Sequence, residues 1–170
     1  MENPLVREIR SQSMLRFREN CLRIEKCLEF LDDEDAWTRP NDASNALGNL
    51  LLHLNGNIKQ HILSGLGGVE DVRDRPSEFD AKGGLTVREL FELLHETCAK
   101  ALDVIASLTE EDLLQYRSVQ GFKLTGFGII LQVVEHFSYH TGQIAWMTKA
   151  RKNVDLGFYA GFDLNVKNIR

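Results

Sequence analysis

Apolar residues recur at alternating steps of three and four through much of this chain, the period of helices that bury one face. From Leu5 to Leu31 the stripe runs Met14, Phe17, Cys21, Ile24, Leu28 and Leu31, with Arg16, Arg18, Glu19 and Lys26 between its members. This predicts a first helix that ends near Asp32-Asp33-Glu34-Asp35, because an acidic run opposes the negative end of a helix dipole. A loop through Pro40 follows. A second helix is predicted from Ser44 to Ser64, with Asp42 or Ser44 as its cap and Leu47, Leu51, Leu54, Ile58 and Ile62 on its buried face. Gly65, Gly67 and Gly68 end it.

From Gly67 to Gly84 there is no period, only glycine, proline and charge, which predicts a long surface crossover. The third helix has sharp punctuation: Thr86 and Glu89 form a capping box, and Leu85 and Leu90 a hydrophobic staple. Val87, Phe91, Leu94, Cys98, Ala101, Ile105 and Leu108 carry its stripe. Thr109-Glu110-Glu111-Asp112 predicts one short turn, and Tyr116 to Gly126 an irregular or weakly extended link. The fourth helix spans Gly126 to Arg151 and ends in basic residues that suit its C-terminal dipole. Aromatic residues beyond Asn153 predict a tail that packs on the body. The whole predicts an all-α fold, a four-helix bundle with long crossover connections, in a single domain over 1–170.

A chain of 170 residues can bury a substantial core without a disulfide or a metal as a staple. Its 25 acidic and 20 basic residues give a net charge of −5, which argues against a nucleic-acid footprint or a polybasic membrane anchor and points to small molecules or proteins as partners. No apolar run is long enough to span a membrane, and Met1-Glu2-Asn3-Pro4 lacks the features of a secretory signal, so a cytoplasmic protein is expected. Cys21, Cys27 and Cys98 have no metal-ligand spacing and read as reduced core residues.

The candidate chemistry lies in the fourth helix. His136 and His140 are one turn apart, so their imidazoles can reach one ion, and His53 borders the apolar face of the second helix, about 60° from Leu50. Such a pair also occurs as histidines packed at a core edge, so the pair alone leaves both readings open. Gln132, His136, His140 and Gln143 form a polar stripe within about 60°, which a core-facing helix has little structural reason to carry; a solvated face is the alternative. Three neutral ligands leave a coordination position open for water or a thiol, and all-histidine ligation fits zinc, nickel, copper or iron. Gln143 is placed to orient a thiol or substrate through its amide. His61 reads as a surface or cap residue too far along its helix to share the ion, His95 as an edge histidine or a support for a ligand, and Glu135 as pointing away. Arg73, Arg75 and Glu78 either bind a substrate carboxylate or pin the crossover to the bundle, with pinning the favoured expectation. No phosphate loop or local serine or cysteine nucleophile motif is present.

Three segments, Leu51-Leu52-His53-Leu54-Asn55-Gly56-Asn57, then Asp71 to Phe79, then His136-x-x-x-His140-Thr141-Gly142-Gln143-Ile144, resemble the DinB/YfiT-like superfamily of four-helix metalloenzymes over nearly the whole chain. The resemblance implies a divalent ion, nickel or zinc, bound by residues that match His53, His136 and His140. It further implies metal-assisted reactions of low-molecular-weight thiols, S-transfer or isomerisation, and a homodimer with Trp37 or Trp146 as contact points. A metal-dependent hydrolase and a non-catalytic metal-binding or partner-binding bundle are the alternatives.

Overall fold

The computed structural model describes residues 3–169, and its architecture follows the apolar stripes. Asn3 opens helix α1 (Pro4–Leu28) by accepting the Leu5 N–H at 3.0 Å, with Pro4 in the first turn, where no amide partner is needed. The acidic run lies beyond the end of α1, as expected, yet it does not trail into a loop. It starts helix α2 (Asp33–Trp37), in which Asp32 and Asp35 cap each other's amides at 3.0 Å. There the carboxylates meet the positive end of a dipole.

Helix α3 (Leu47–Ile58) begins later than expected: neither Asp42 nor Ser44 caps it, and Asn49 Oδ1 reaches back to accept the Ala46 N–H at 3.0 Å. Its continuation, Lys59–Ser64, widens into a π-helix. The crossover is also more ordered than its composition suggested. It holds helix α4 (Arg75–Asp80), with Asp74 as cap and a proline in the first turn. Helix α5 (Val87–Ser107) opens as predicted, Thr86 Oγ1 accepting the Glu89 N–H at 3.2 Å and Glu89 Oε2 the Thr86 N–H at 2.8 Å. Helix α6 (Glu110–Leu114) is the predicted short turn.

The link from Tyr116 is an antiparallel hairpin of β1 (Tyr116–Val119) and β2 (Phe122–Thr125), with Tyr116 opposite Thr125 and Val119 opposite Phe122. Its turn places Gln120 and Gly121 at φ of 52° and 81°, the left-handed pair that a two-residue hairpin loop requires. Thr125 then caps helix α7 (Gly126–Lys152) through the Gly128 N–H.

Helices α1, α5, α3 and α7 pack in that cyclic order and form the four sides of a bundle. At its centre Phe17 of α1 and Phe137 of α7, both fully buried, meet edge to face with ring centroids 5.5 Å apart. All three cysteines are buried, as expected. Arg151 donates to the Asp35 and Thr38 carbonyls, and Lys152 pairs with Asp35 at 2.5 Å, so the end of α7 clasps α2.

Two expectations need correction. The tail packs through Val154, Leu156 and Phe158, and Arg23 lies over the Phe158 and Tyr159 rings at 6.0 and 5.8 Å, but Phe162, Leu164 and Val166 beyond them are exposed. Trp37 is half-buried and its indole N–H donates to the Leu85 carbonyl at 2.8 Å, so it serves the fold instead of offering a contact surface, whereas Trp146 is exposed. No described helix is long and apolar enough to cross a membrane.

The central ring pair gives a direct test of the packing. Phe137→Ala is expected to cost about 3–5 kcal/mol in urea unfolding at neutral pH. Because Phe17 and Phe137 touch, Phe17→Ala combined with it should cost less than the two separate losses added together. A loss below about 1 kcal/mol for Phe137→Ala would contradict its place at the core centre.

Candidate metal centre

The spacing along α7 and the packing of α3 against it bring His53, His136 and His140 together. His136 Nε2 lies 3.1 Å from His53 Nε2 and 3.1 Å from His140 Nε2. The three possible ligand atoms all fall within 4.8 Å of one another.

Their neighbours dictate which nitrogens carry protons. His53 Nδ1 is 3.0 Å from Glu78 Oε2, which can only accept, and 3.1 Å from Arg73 Nη2, which can only donate; because Arg73 Nη2 already donates to that carboxylate oxygen at 2.8 Å, the arrangement favours the proton on Nδ1 and the Nε2 lone pair facing inward. His140 Nδ1 is 2.6 Å from Gln143 Oε1, with the same consequence. His136 Nδ1 is buried without a hydrogen-bond partner. With its proton on Nδ1, His136 sets lone pair against lone pair at both 3.1 Å approaches and leaves a buried N–H unpaired; with its proton on Nε2, one N–H faces two lone pairs and cannot fully satisfy both. A divalent cation relieves that conflict, and the spacing suits one: two metal–nitrogen bonds of about 2.0–2.1 Å span 3.1 Å at an angle near 100°. The donor set therefore fits a metal ion.

Glu78 is held in place by a dense set of contacts. Arg73 donates to its two oxygens at 2.6 and 2.8 Å, and Arg73 also reaches Gln60 Oε1 at 2.9 Å. The pinning role expected for Arg73 and Glu78 is thus present, and Glu78 adds an orienting bond to a candidate ligand that the sequence reading did not assign. Gly56 makes it possible: a Cβ there would stand 1.9 Å from Glu78 Oε1, so only glycine lets the carboxylate cross α3. Burial alone would push the Glu78 pKa up, but the hydrogen bonds and charges of Arg73 and His53 outweigh it and hold the carboxyl below its ordinary range. Burial, reinforced by the charges of His140, His53, His61 and Arg73, pushes His136 down to about 3. Burial also lowers His140, against the opposing effect of its hydrogen bond to the Gln143 carbonyl oxygen. Neutral imidazole is the form that ligates.

The histidines open onto a cavity of about 870 Å³, within the range of small-molecule sites. Phe79 lies 4.8 Å from the His53 ring and Tyr139 4.9 Å from the His140 ring, and both line the cavity with Trp146 and Met147. Phe79 and Tyr139 were not singled out from sequence. A signal existed for Phe79, since Asp74 followed by Pro76 marks a helix start and makes its segment more than a loop.

Other sequence candidates separate clearly. Gln143, expected to orient a thiol or substrate, has both ends of its amide engaged within the protein, Oε1 on His140 and Nε2 3.3 Å from the Tyr139 hydroxyl. Gln132 is half-buried and outside the cavity lining. His61 is fully buried and not at the surface, because the π-helical segment packs against α5 and α7; its Nδ1 is 3.1 Å from the Asn57 carbonyl, and it stands outside the triad. His95 is exposed beside Phe91 and supports no ligand, and Glu135 is exposed as expected.

The helical bundle and its clustered histidines agree with what the resemblance to DinB-like proteins implied. The family model described as "Protein of unknown function (DUF1572)" matches residues 6–158, and the chain belongs to this DinB-like family. Among solved structures it is similar to a DinB-like protein from Bacillus cereus, with a TM-score of 0.66 and 16% identity over 82% of this chain and 90% of that one. It is also similar to a DinB-like protein from Bacillus subtilis, with a TM-score of 0.67 and 20% identity over 87% and 96%. At these identities the likeness is one of fold. No curated protein matches the chain.

Two outcomes follow from the geometry. Gly56→Ala displaces Glu78 from His53 and should weaken binding of zinc or nickel by about 10–100-fold, as should Glu78→Gln, with helicity retained; calorimetric titration of the metal reads both, and unchanged affinity in both would remove Glu78 from the site. The metal-free protein should lose stability as pH falls from 7 to 5. The folded state holds His136 and His140 below the unfolded value of 6.5, so the unfolded chain binds more protons through this window. Urea midpoints across that range should fall less steeply for His136→Gln than for the parent; identical slopes would contradict the burial of neutral His136.

Proposed function

We propose that this protein is an enzyme that holds a divalent ion, nickel or zinc, through His53, His136 and His140 and uses it to activate a low-molecular-weight thiol for S-transfer or isomerisation. The observation that carries the proposal is the convergence of three imidazole Nε2 atoms on the wall of an open cavity. Such an ion would keep its full charge against three neutral ligands and favour the anionic form of a thiol in its open position.

The chain's own residues divide the remaining work. Glu78 fixes the tautomer of His53, and Gln143 that of His140. The Tyr139 hydroxyl accepts the Gln143 amide, which leaves its own O–H to donate toward the cavity. Leu50, Phe79 and Met147 give the cavity an apolar wall that limits water around the reacting atoms. The protein offers no sulfur nucleophile of its own: its cysteines are buried, burial pushes Cys27 up to about 11, and the Cys21 hydrogen bond together with burial raises Cys98 further. The nucleophile must come with the substrate. Hydrolysis is the less favoured use of the same ion, because no aspartate or glutamate among the described residues lines the cavity to take a proton from water.

Tag-free protein should hold about one divalent ion per chain by elemental analysis, and His53→Ala, His136→Ala and His140→Ala should each lose most of it while keeping their helicity. Normal metal content in all three would refute the triad. Transfer of small thiols to a panel of electrophiles should be confined to the metal-loaded parent. Equal rates in parent, metal-stripped protein and His140→Ala would reject thiol activation, and ester hydrolysis confined to the loaded form would replace it with the hydrolase.

A further inference from the structure

Arg73, Arg75 and Glu78 are close in sequence, and the structure divides them. Arg73 and Glu78 spend their charges on each other and on His53. Arg75 turns the other way, into the lining of the cavity, with its guanidinium 4.8 Å above the Phe79 ring. Phe79 in turn stacks against His53 at 4.8 Å, so the cation sits one aromatic ring removed from a candidate metal ligand. It forms no ion pair among the described residues: Asp74 beside it caps Ser77.

The electrostatic balance of the cavity departs from that of the chain. In a protein of net charge −5, Arg75 is the only lysine or arginine among the described cavity-lining residues, and no aspartate or glutamate joins it there. A wall with a cation and no carboxylate, next to a site suited to a divalent ion, attracts an anion and repels a cation. The planar fork of guanidinium matches a carboxylate with two parallel hydrogen bonds. A phosphate dianion would call for more donors than this single arginine supplies.

We infer that the small molecule bound in this cavity carries a carboxylate, which Arg75 holds one aromatic ring away from the three histidines. The inference rests on the cavity being the substrate site of the proposed function, but the charge preference it assigns does not depend on the metal. Phe79 keeps the guanidinium in register by cation–π contact, so the anionic end of the ligand is fixed while its other end reaches the histidines. Arg75 is on this account a specificity-determining residue.

The test compares 3-mercaptopropionate with its methyl ester, which keeps the thiol and removes the charge. Dissociation constants are measured by calorimetric titration with metal-free and zinc-loaded parent, Arg75→Gln and Arg75→Lys. The parent should prefer the acid by about tenfold in both forms, the scale of one charge-assisted hydrogen bond. Arg75→Gln should abolish that preference, and Arg75→Lys should retain part of it. Arg75 is exposed at the cavity rim, so these variants should fold as the parent does. Equal binding of acid and ester by the parent, no binding of either, or a preference that survives in Arg75→Gln would overturn the inference. A gain in affinity for both probes on zinc loading reports separately on the thiol-activating site. Its absence, with the acid preference intact, would count against the proposed function and leave the assignment of Arg75 standing.

Discussion

Two 3.1 Å approaches join His53, His136 and His140 through the Nε2 of His136, an arrangement that positive charge at its centre would satisfy. Two of these histidines have their outward nitrogens committed to acceptors, so their lone pairs have nowhere to turn except toward each other and His136. Three members of the polar stripe of α7, His136, His140 and Gln143, border the cavity and not the apolar core, which is why that side can carry them. Burial that depresses the His136 and His140 pKa values also keeps those two in the ligating form.

The bundle supplies the rigidity this arrangement needs. Phe17 and Phe137 lock α1 to α7 beside the histidine face, Phe137 being turned about 100° from His136 around the helix. Arg151 and Lys152 fasten the far end of α7 to α2. On the α3 side the restraint comes from outside the bundle, through the Arg73 and Glu78 pair. Removing one member of a buried pair of this kind typically costs about 3–5 kcal/mol. The two sides of the site are therefore held by different physics, apolar packing behind α7 and a buried ion pair behind α3.

The long helices and the triad were legible in the sequence because both rest on helical periodicity. Apolar steps of three and four mark the buried faces, and the same geometry puts His136 and His140 on one face. The capping box of Thr86 and Glu89 was legible because it is local. What sequence reading missed was short or depended on distant partners. Helix α2 was hidden because an acidic run reads as a helix stop from one side and a helix start from the other. Helix α4 was obscured by the charges around it, and the hairpin strands are too short to show alternation. His61 looked like a surface residue because nothing local announces a π-helical turn. The bond from Glu78 to His53 joins residues whose proximity is set by the crossover's docking, and no spacing rule reaches across it.

The crossover thus carries two functions on interleaved positions. Arg73 and Glu78 face the bundle and anchor the segment, while Arg75 and Phe79 face the cavity and shape what enters it. Anchoring and lining use different residues of one short segment, and Arg75 meets His53 only through the Phe79 ring, so a change at Arg75 leaves the Arg73–Glu78 anchor in place. The scaffold is in this sense modular: the charge on the cavity wall can be altered at Arg75 while Gly56, Arg73 and Glu78 keep the crossover docked on α3.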